Sequence, residues 1–306
     1  MPKRSKSNPA AERRTRACTR KQLVSIACIF LARTLDSKGV EGLALSKGSK
    51  GTLLEICQRR SVIQKVAAIG IASCLAPASI VHALSPAEAS KQYDTYAESY
   101  DKLDGGEASN VLGIEEARTS LLGRARGNVL EIGVGTGLNL DKYQQSQLTS
   151  LTLVDISDGM LQQARRRVES LPNLKGVPIK MVRADATTEL VDMFGVESFD
   201  TVVDSFSLCV MGNTGAVKCL HQMGQIVKKR QEHGQLLLLE NSRSSNPVLG
   251  LYQDATADAA AAAGGKGCVY NQDVSKMIRS TGTLEIRQEI PYAAGLFRSF
   301  ICERLD

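Results

Sequence analysis

Tryptophan is absent from this chain of 306 residues, and aromatic residues make up only 4% of it. Proteins that hold single-stranded nucleic acids stack the bases on aromatic side chains. The scarcity of aromatic residues therefore disfavours a nucleic-acid partner. Histidine is also rare, with three residues, and none of them lies in a pattern that predicts catalysis.

Cys-x-x-Cys pairs are also missing, although the chain contains eight cysteines. A disulfide framework or a structural zinc site needs regularly spaced cysteines, and these are scattered. We therefore expect free, buried thiols in a reducing compartment, and no metal site. The cysteines are Cys18, Cys28, Cys57, Cys74, Cys209, Cys219, Cys268 and Cys302.

Acidic residues are scarce only at the head of the chain. Residues 1–65 contain 15 Lys and Arg against 4 Asp and Glu, a net charge of +11. Residues 66–306 contain 23 against 28, a net charge of −5. The sequence pI of about 8.9 therefore reflects the head, and the acidic body again disfavours binding to nucleic acid.

Apolar runs long enough to span a membrane are absent after Ala83. Before it, residues 1–60 have the basic, serine-rich and acid-poor composition typical of an organellar transit peptide. Arg59 and Arg60 precede an uncharged run of 16 residues at 66–81, whereas a spanning helix needs about 20. Two interpretations stay open: a twin-arginine signal cleaved near Leu84, or a membrane anchor over 62–84 that its flanks extend.

The chain is therefore predicted to have two parts, a targeting leader at 1–84 and a globular domain at 85–306. The domain begins with polar helices at 87–103 and 110–123. Strands are then predicted at 128–132, 151–155, 178–183, 199–204 and 235–240, with helices between them at 137–145, 157–170, 187–194 and 214–230. This alternation predicts a mostly parallel sheet with helices on both faces. The last strands, 283–290 and 296–302, are separated by a short turn and must form an antiparallel hairpin at one edge.

Acidic residues and glycines mark the ends of three successive strands. The first strand runs into EIGVGTG, where Gly133, Gly135 and Gly137 let a ligand approach the backbone closely, at a turn into the predicted helix. Asp155 closes the second strand and can accept bonds from the hydroxyls of a ribose. Asp185 follows the third strand and can accept a bond from an adenine amino group. Helix capping alone rarely accounts for glycines or acidic residues at three successive strand ends.

These motifs resemble those of class I S-adenosylmethionine-dependent methyltransferases. The similarity is greatest to the type-11 group, which is similar to the ubiquinone/menaquinone methyltransferases, and to the organellar oxidase-mutation-suppressor methyltransferases. It covers about 90–302 and rests on EIGVGTG, VDISDGML, RADA and FDTVVDSFSLCV. The resemblance implies a Rossmann-like seven-stranded sheet of order 3-2-1-4-5-7-6, with strand 7 antiparallel. It also implies S-adenosyl-L-methionine as the cofactor.

The resemblance assigns cofactor-binding roles to residues that match the family motifs. The glycine loop would line the methionine part, and Tyr96 and Tyr100 would close over the cofactor as a lid. An amphipathic helix docked on the core would give the same tyrosine spacing, so both interpretations stay open. The cofactor-binding residues predicted in this way are Tyr96, Tyr100, Glu131, Gly133, Gly135, Gly137, Asp155, Ile156, Met160, Asp185, Ala186 and Ser205.

The methyl acceptor is expected at the tips of the fourth and fifth strands, because ligands bind where the strand order reverses. The residues predicted to contact the acceptor are Phe206, Ser207, Asn241, Arg243 and Tyr252. Asp204 is the best-placed candidate for a general base, although methyl transfer from an activated sulfonium needs mainly alignment of the reactants.

The sequence thus predicts methyl transfer to a small or lipophilic acceptor in an organelle. The twin-arginine pattern favours the plastid, associated with the thylakoid, with the mitochondrial inner membrane as the alternative, and 62–84 allows membrane association. A second hypothesis is a membrane-tethered assembly or scaffold protein with a vestigial cofactor pocket. A third, a nicotinamide-dependent oxidoreductase, is disfavoured because the glycine spacing is GxGxG.

Overall fold

The computed structural model describes residues 84–103, 112–264 and 267–306. Its helices are α1 (Pro86–Tyr96), α2 (Tyr100–Leu103), α3 (Ile114–Leu122), α4 (Asp158–Ser170), α5 (Leu190–Phe194), α6 (Gly212–Ile226), α7 (Pro247–Gly264) and α8 (Val274–Ser280). Its strands are β1 (Gly127–Ile132), β2 (Leu148–Asp155), β3 (Ile179–Arg183), β4 (Thr201–Ser205), β5 (Gln235–Asn241), β6 (Leu284–Tyr292) and β7 (Phe297–Arg304).

The seven strands form one sheet in the order β3-β2-β1-β4-β5-β7-β6. The first five strands pair in parallel, whereas β7 runs antiparallel to both β5 and β6. The predicted strand order and the edge hairpin are confirmed. The order reverses between β1 and β4, so the loops after these two strands diverge and leave a crevice at their carboxyl ends.

Alternating side chains divide the core between the two faces of the sheet, as the period of two in a strand requires. Leu130 and Val202 pack with α5, α6 and α8 on one face. Val129 and Val203 pack with α3 and α4 on the other. Because both faces are covered, the central strands β1, β4 and β5 are buried over most of their lengths, whereas the edge strands β3 and β6 carry polar and partly exposed residues.

The helix predicted at 137–145 is wrong. Only a single 3-10 turn, Leu140–Lys142, forms there. The side chains of Asn139 and Tyr143 both turn back to donate to the buried carboxylate of Glu131. These two residues would also share one face of a regular helix. We therefore attribute the irregular course to Asn173, whose Nδ2 donates to the carbonyl groups of Leu140 and Tyr143.

The first predicted helix is interrupted. Its first residue is well defined, because Ser85 and Glu88 form a capping box at the start of α1. The capping box satisfies two free amide groups. The helix ends at Tyr96, and a 3-10 turn over Ala97–Ser99 separates it from α2. The break brings the rings of Tyr93 and Tyr100 to 6.3 Å between centroids.

The leader predicted at 1–84 lies outside the described residues except for Leu84, and so does almost all of the apolar run 62–84. Within the described part of the chain, every helix is too short or too polar to cross a lipid bilayer.

Candidate functional site

A cavity of about 370 Å³ opens at the carboxyl ends of β1 to β4, a size typical of small-molecule sites. The loops after these strands form its floor, and α1 and α2 lie over it. Polar and glycine residues that line it are Gly133, Gly135, Asp155, Asp185, Ser205 and Ser207, and larger side chains are Tyr93, Tyr100, Ile156, Met160, Phe206, Met211 and Lys218.

The loop after β1 packs tightly against the loop after β4. Gly133 has a φ of 60°, and a Cβ atom built on it would lie 2.5 Å from Cβ of Ser207. No other residue fits this position without moving the Ser207 loop. Gly135 also lines the cavity, whereas Gly137 is not among the lining residues.

Asp155 lies at the end of β2 with its carboxylate against the glycine loop. One oxygen accepts from the Gly135 amide at 2.8 Å, and the other accepts from the Ser157 amide at 2.9 Å. Burial raises the pKa of Asp155 to about 6, although these amides favour the charged form. Each carboxylate oxygen has a second lone pair, so the side chain can also receive two hydroxyl groups from the cavity.

Glu131 lies beneath the glycine loop and is 1% exposed. Its oxygens accept from Asn139 Nδ2 and Tyr143 Oη, each at 2.8 Å. Burial raises its pKa to about 7, and the two donors act in the opposite direction. Asn139 Nδ2 also contacts Ser205 Oγ at 2.8 Å. Glu131 therefore supports the site from below and is not among the lining residues.

Two carboxylates fasten the N-terminal helices over the cavity. Asp94 on α1 accepts from Ser157 Oγ at 2.6 Å and from the Gly159 amide at 2.9 Å, at the start of α4. Asp101 on α2 accepts from Thr136 Oγ1 at 2.6 Å, in the glycine loop, and from Arg167. The helices are thus tied to the loops after both β1 and β2.

The tyrosines of this cover differ in position. Tyr93 and Tyr100 line the cavity, and Tyr96 is not among the lining residues. Tyr96 was predicted at the site from the resemblance to the family's N-terminal helix, which does not indicate which face of α1 meets the cavity. Tyr93 was missed for the same reason.

The residues after β2 and β3 form the other end of the cavity. Asp185 accepts from the amide of Thr187 at 2.8 Å and from its hydroxyl at 2.7 Å. Ile156, Met160 and Ala186 supply apolar walls beside it. Carboxylates and apolar surfaces therefore occur together there, which suits the sugar and base of a nucleoside.

The tip of β4 presents Ser205, Phe206 and Ser207 to the cavity. Phe206 has a φ of 58°, an uncommon conformation for an aromatic residue. Glu240 at the end of β5 holds the backbone that follows Phe206, because its Oε1 accepts from the amides of Ser207 and Leu208 at 2.8 and 2.9 Å. Asp204 is fully buried and is not among the lining residues, so it reaches the cavity only through Ser207, whose hydroxyl donates to it.

The residues predicted near the end of β5 do not come to the cavity. Asn241 donates to the sulfur atoms of Cys209 and Cys268. Arg243 pairs with Asp254 at 2.7 Å. Tyr252 lies on α7 and is not among the lining residues. The spacing of sequence motifs identified which strand ends meet but gave no direction for these side chains.

Within the described residues, no group of three or more His, Cys, Asp or Glu side chains could hold a metal ion. The described cysteines, Cys209, Cys219, Cys268 and Cys302, are free thiols.

Comparison with known proteins supports the same interpretation of the cavity. Residues 129–230 match the family described as "Methyltransferase domain". The chain is 27% identical over 208 residues to the mitochondrial methyltransferase OMS1 of Saccharomyces cerevisiae, covering 64% of this chain and 42% of OMS1. It is 39% identical over 116 residues to a phosphatidylethanolamine N-methyltransferase of Cereibacter sphaeroides, covering 38% of this chain and 53% of that protein. The chain therefore spans about half the length of these two relatives.

Solved structures share the fold. A SAM-dependent methyltransferase from Leishmania major superposes with a TM-score of 0.51 at 15% identity, covering 71% of this chain and 82% of the other. The seven-stranded order with an antiparallel β7 also differs from the order 3-2-1-4-5-6 of dinucleotide-binding domains. Residues 129–230 thus match a methyltransferase domain, and in its motifs and sheet order the chain resembles class I S-adenosylmethionine-dependent methyltransferases and also resembles OMS1.

Proposed function

We propose that this protein transfers a methyl group from S-adenosylmethionine to a lipophilic acceptor in a mitochondrion. The observation that carries the proposal is the meeting of three strand ends at one cavity. The glycine loop, Asp155 and Asp185 all line it, in the order in which they were expected to contact the tail, sugar and base of the cofactor.

Specific residues are proposed to hold each part of the cofactor. Asp155 would accept from the ribose hydroxyls through its free lone pairs, and Asp185 would accept from the adenine amino group. Gly133 and Gly135 would contact the methionine part, with Tyr100 above. Glu131, Tyr96 and Gly137 do not line the cavity, so any role of theirs in binding is indirect.

The cofactor supplies a methyl group on a positively charged sulfur, which needs no further activation. The protein therefore contributes mainly by holding the acceptor in line with that group, which in favourable cases lowers the barrier by about 7–11 kcal/mol. The tip of β4 at the switch point is the place for the acceptor, and we propose Phe206 and Ser207 as its contacts.

The proposed class of acceptor rests on the lining and on one relative. The apolar side chains of Leu84, Val210 and Met211 line the cavity together with Phe206. Leu84 is also the last residue of the apolar run 62–84, so a membrane anchor in that run would end at the cavity. A relative of this chain is named as a methyltransferase of phosphatidylethanolamine, a lipid with a polar amine.

The proposed compartment rests on OMS1, which is named as mitochondrial. The plastid favoured by the paired arginines has no corresponding support among the relatives. We therefore propose the mitochondrion, with the basic residues of 1–60 as its targeting sequence.

Two measurements test the proposal. Isothermal titration of the full chain with S-adenosylhomocysteine should show one site per molecule, and lack of binding would refute a cofactor role for the cavity. Incubation with methyl-labelled S-adenosylmethionine and mitochondrial membranes should then label a lipid-soluble product. Binding without any transferred label would instead favour the scaffold hypothesis. Asp155→Ala should weaken the binding, and Asp192→Ala, an exposed change on α5, is its matched control.

A further inference from the structure

Two acidic side chains lie together behind the tip of β4. Asp204 and Glu240 are each 0% exposed. The register pairs Asp204 with Leu238, so Asp204 lies on the same face of the sheet as Glu240, two residues further along β5. The two carboxyl groups are therefore neighbours on adjacent strands.

The four oxygens of this acid pair have unequal surroundings. Asp204 Oδ1 accepts from the Ser207 hydroxyl, and Glu240 Oε1 accepts from two backbone amides. Asp204 Oδ2 and Glu240 Oε2 are buried and receive no hydrogen bond from a described donor. Two fully buried carboxyl groups that lie side by side cannot both be charged without a large cost in desolvation and repulsion, and one proton shared between them would satisfy both of these oxygens.

The pair therefore holds one proton and one negative charge. Burial, and next the neighbouring charge of Asp204, raise the pKa of Glu240 well above its usual range. The hydrogen-bond partners of the pair are hydroxyl and amide groups. The cations nearby are Lys218, which lines the cavity, and Arg118, which lies over the Phe206 ring. The other titratable groups near the pair are Glu131, Cys209 and Cys219.

Ser207 connects the pair to the cavity. Its side chain lines the cavity on one side and donates to Asp204 on the other. Its amide is held by Glu240, and its Cβ lies against Gly133. The hydroxyl can therefore accept a proton from a group in the cavity while it passes its own proton to Asp204.

We propose that Ser207 and the Asp204–Glu240 pair form a proton relay that receives the proton of a protic methyl acceptor, such as an amine or a phenol. This inference rests on the proposed function. In the step, the bond between the acceptor and the methyl carbon forms as the sulfur–methyl bond breaks, and that electron pair stays on sulfur. The acceptor's proton moves to Ser207 Oγ, and the Ser207 proton moves to Asp204 Oδ1, leaving both acids neutral.

The charge of the methyl donor controls when the acid pair can accept a second proton. A positive sulfonium beside the cavity stabilises the negative charge of the pair and lowers its affinity for a second proton. After transfer the sulfur is neutral, so that affinity rises at the stage when a proton must be accepted. The relay resets when the second proton returns through Ser207 to water in the open cavity.

Proton linkage tests the relay without any acceptor. The full chain is titrated with S-adenosylmethionine and with S-adenosylhomocysteine, each in two buffers that differ in their heat of protonation, to obtain the number of protons exchanged on binding. At acidic pH, where the pair takes up its second proton, the cationic ligand should release more protons than the neutral one. In the double change Asp204→Asn and Glu240→Gln, which leaves no acid at the pair to titrate, this difference should fall to the value set by the ligands alone.

Glu131→Gln is the matched control, since Glu131 is also a buried acid near the cavity. An unchanged difference in the Asp204→Asn and Glu240→Gln double change, or its loss only in Glu131→Gln, would overturn the relay while ligand binding itself still supported the proposed function. Failure of both ligands to bind would instead refute the proposed function, and the relay with it.

The rate of methyl transfer gives the second readout. With labelled donor and mitochondrial membranes, Ser207→Ala should lower kcat by about 100-fold or more. Its affinity for S-adenosylhomocysteine should stay within a factor of about two of that of the unchanged chain. The pH dependence of kcat should also lose its acidic limb. If Ser207→Ala transfers label at the rate of the unchanged chain, Ser207 does not pass the acceptor's proton to Asp204.

Discussion

Single carboxylates carry most of the chemistry proposed for this domain, and their surroundings differ. Asp155 is held by backbone amides and keeps acceptor capacity toward the cavity. Both carboxylate oxygens of Glu131 accept hydrogen bonds from protein donors. The two acids were both expected to bind the cofactor, yet only Asp155 has a free route to it.

Asp155→Ala should weaken the binding of S-adenosylhomocysteine by about 3 kcal/mol, or roughly 100-fold, because two hydrogen bonds to a charged acceptor are lost. Titration calorimetry measures the change. Asp192→Ala should bind as the unchanged chain does, and thermal unfolding of both variants checks that the glycine loop has kept its fold. Equal affinity in Asp155→Ala would contradict the assignment of the ribose to this residue.

Glu131 should make stability depend on pH. Its pKa is about 7 in the folded protein against 4.5 for an ordinary glutamate, so the native state binds more protons than the unfolded state between these values. The free energy of unfolding should therefore fall as pH rises from about 4.5 to about 7, by up to about 3 kcal/mol from this residue.

Urea unfolding at several pH values measures this slope. Glu131→Gln should remove its share of the slope while the other buried acids retain theirs, and Glu116→Gln, on the exposed side of α3, should leave it unchanged. A slope that is the same in Glu131→Gln as in the unchanged chain would argue against a raised pKa at this site.

At the scale of elements, the N-terminal helices behave as a cover tied to loops. Asp94 bonds to the first turn of α4, where a carboxylate also interacts favourably with the helix dipole. The sequence showed an acidic residue on a polar helix but no signal for its partner, which lies 63 residues away.

Asp94→Ala should loosen α1 and speed the release of S-adenosylhomocysteine. The lost bonds correspond to about 1.5–3 kcal/mol in a partly buried site, which predicts roughly a tenfold or greater increase in the dissociation rate. Stopped-flow displacement measures it, with Asp158→Ala, an exposed acid in the same first turn of α4, as control. An unchanged dissociation rate in Asp94→Ala would show that α1 does not retain the ligand.

Elements were easier to predict than their ends. The strands and the edge hairpin were correctly predicted because their periodicity and short connections leave few alternatives. The segment after Gly137 was wrongly predicted as a helix because the side chain of Asn173 donates to the carbonyl groups of Leu140 and Tyr143. Such bonds connect residues whose proximity exists only in the folded chain.

For the whole molecule, charge and hydrophobicity are divided along the chain. The described domain belongs to the acidic part of the sequence, and the basic head and the apolar run precede it. The motifs predicted the strand order, which is confirmed, and the strand ends at which the cavity lies, while the roles of the residues there stay predictions. The compartment was harder to predict, because paired arginines before an apolar run fit two organelles.

The full chain should sediment with phosphatidylcholine vesicles through the run 62–84. The double change Ile69→Lys and Ile71→Lys should abolish sedimentation, because each charge in the bilayer costs about 2.5–3.5 kcal/mol. Met193→Lys with Val196→Lys adds the same charge at exposed apolar positions of the domain and should sediment normally. Recovery of the unchanged chain in the supernatant would contradict an anchor.

The close packing of Gly133 against Ser207 has a consequence for how this protein can diversify. The loop that receives the donor and the loop that faces the acceptor share one contact surface, with 2.5 Å between Ser207 Cβ and the position of a Cβ at Gly133. A mutation that reshapes this wall for a new acceptor would also disturb donor binding. New acceptor preferences should therefore arise through other lining residues, such as Met211 and Lys218, which take no part in this contact.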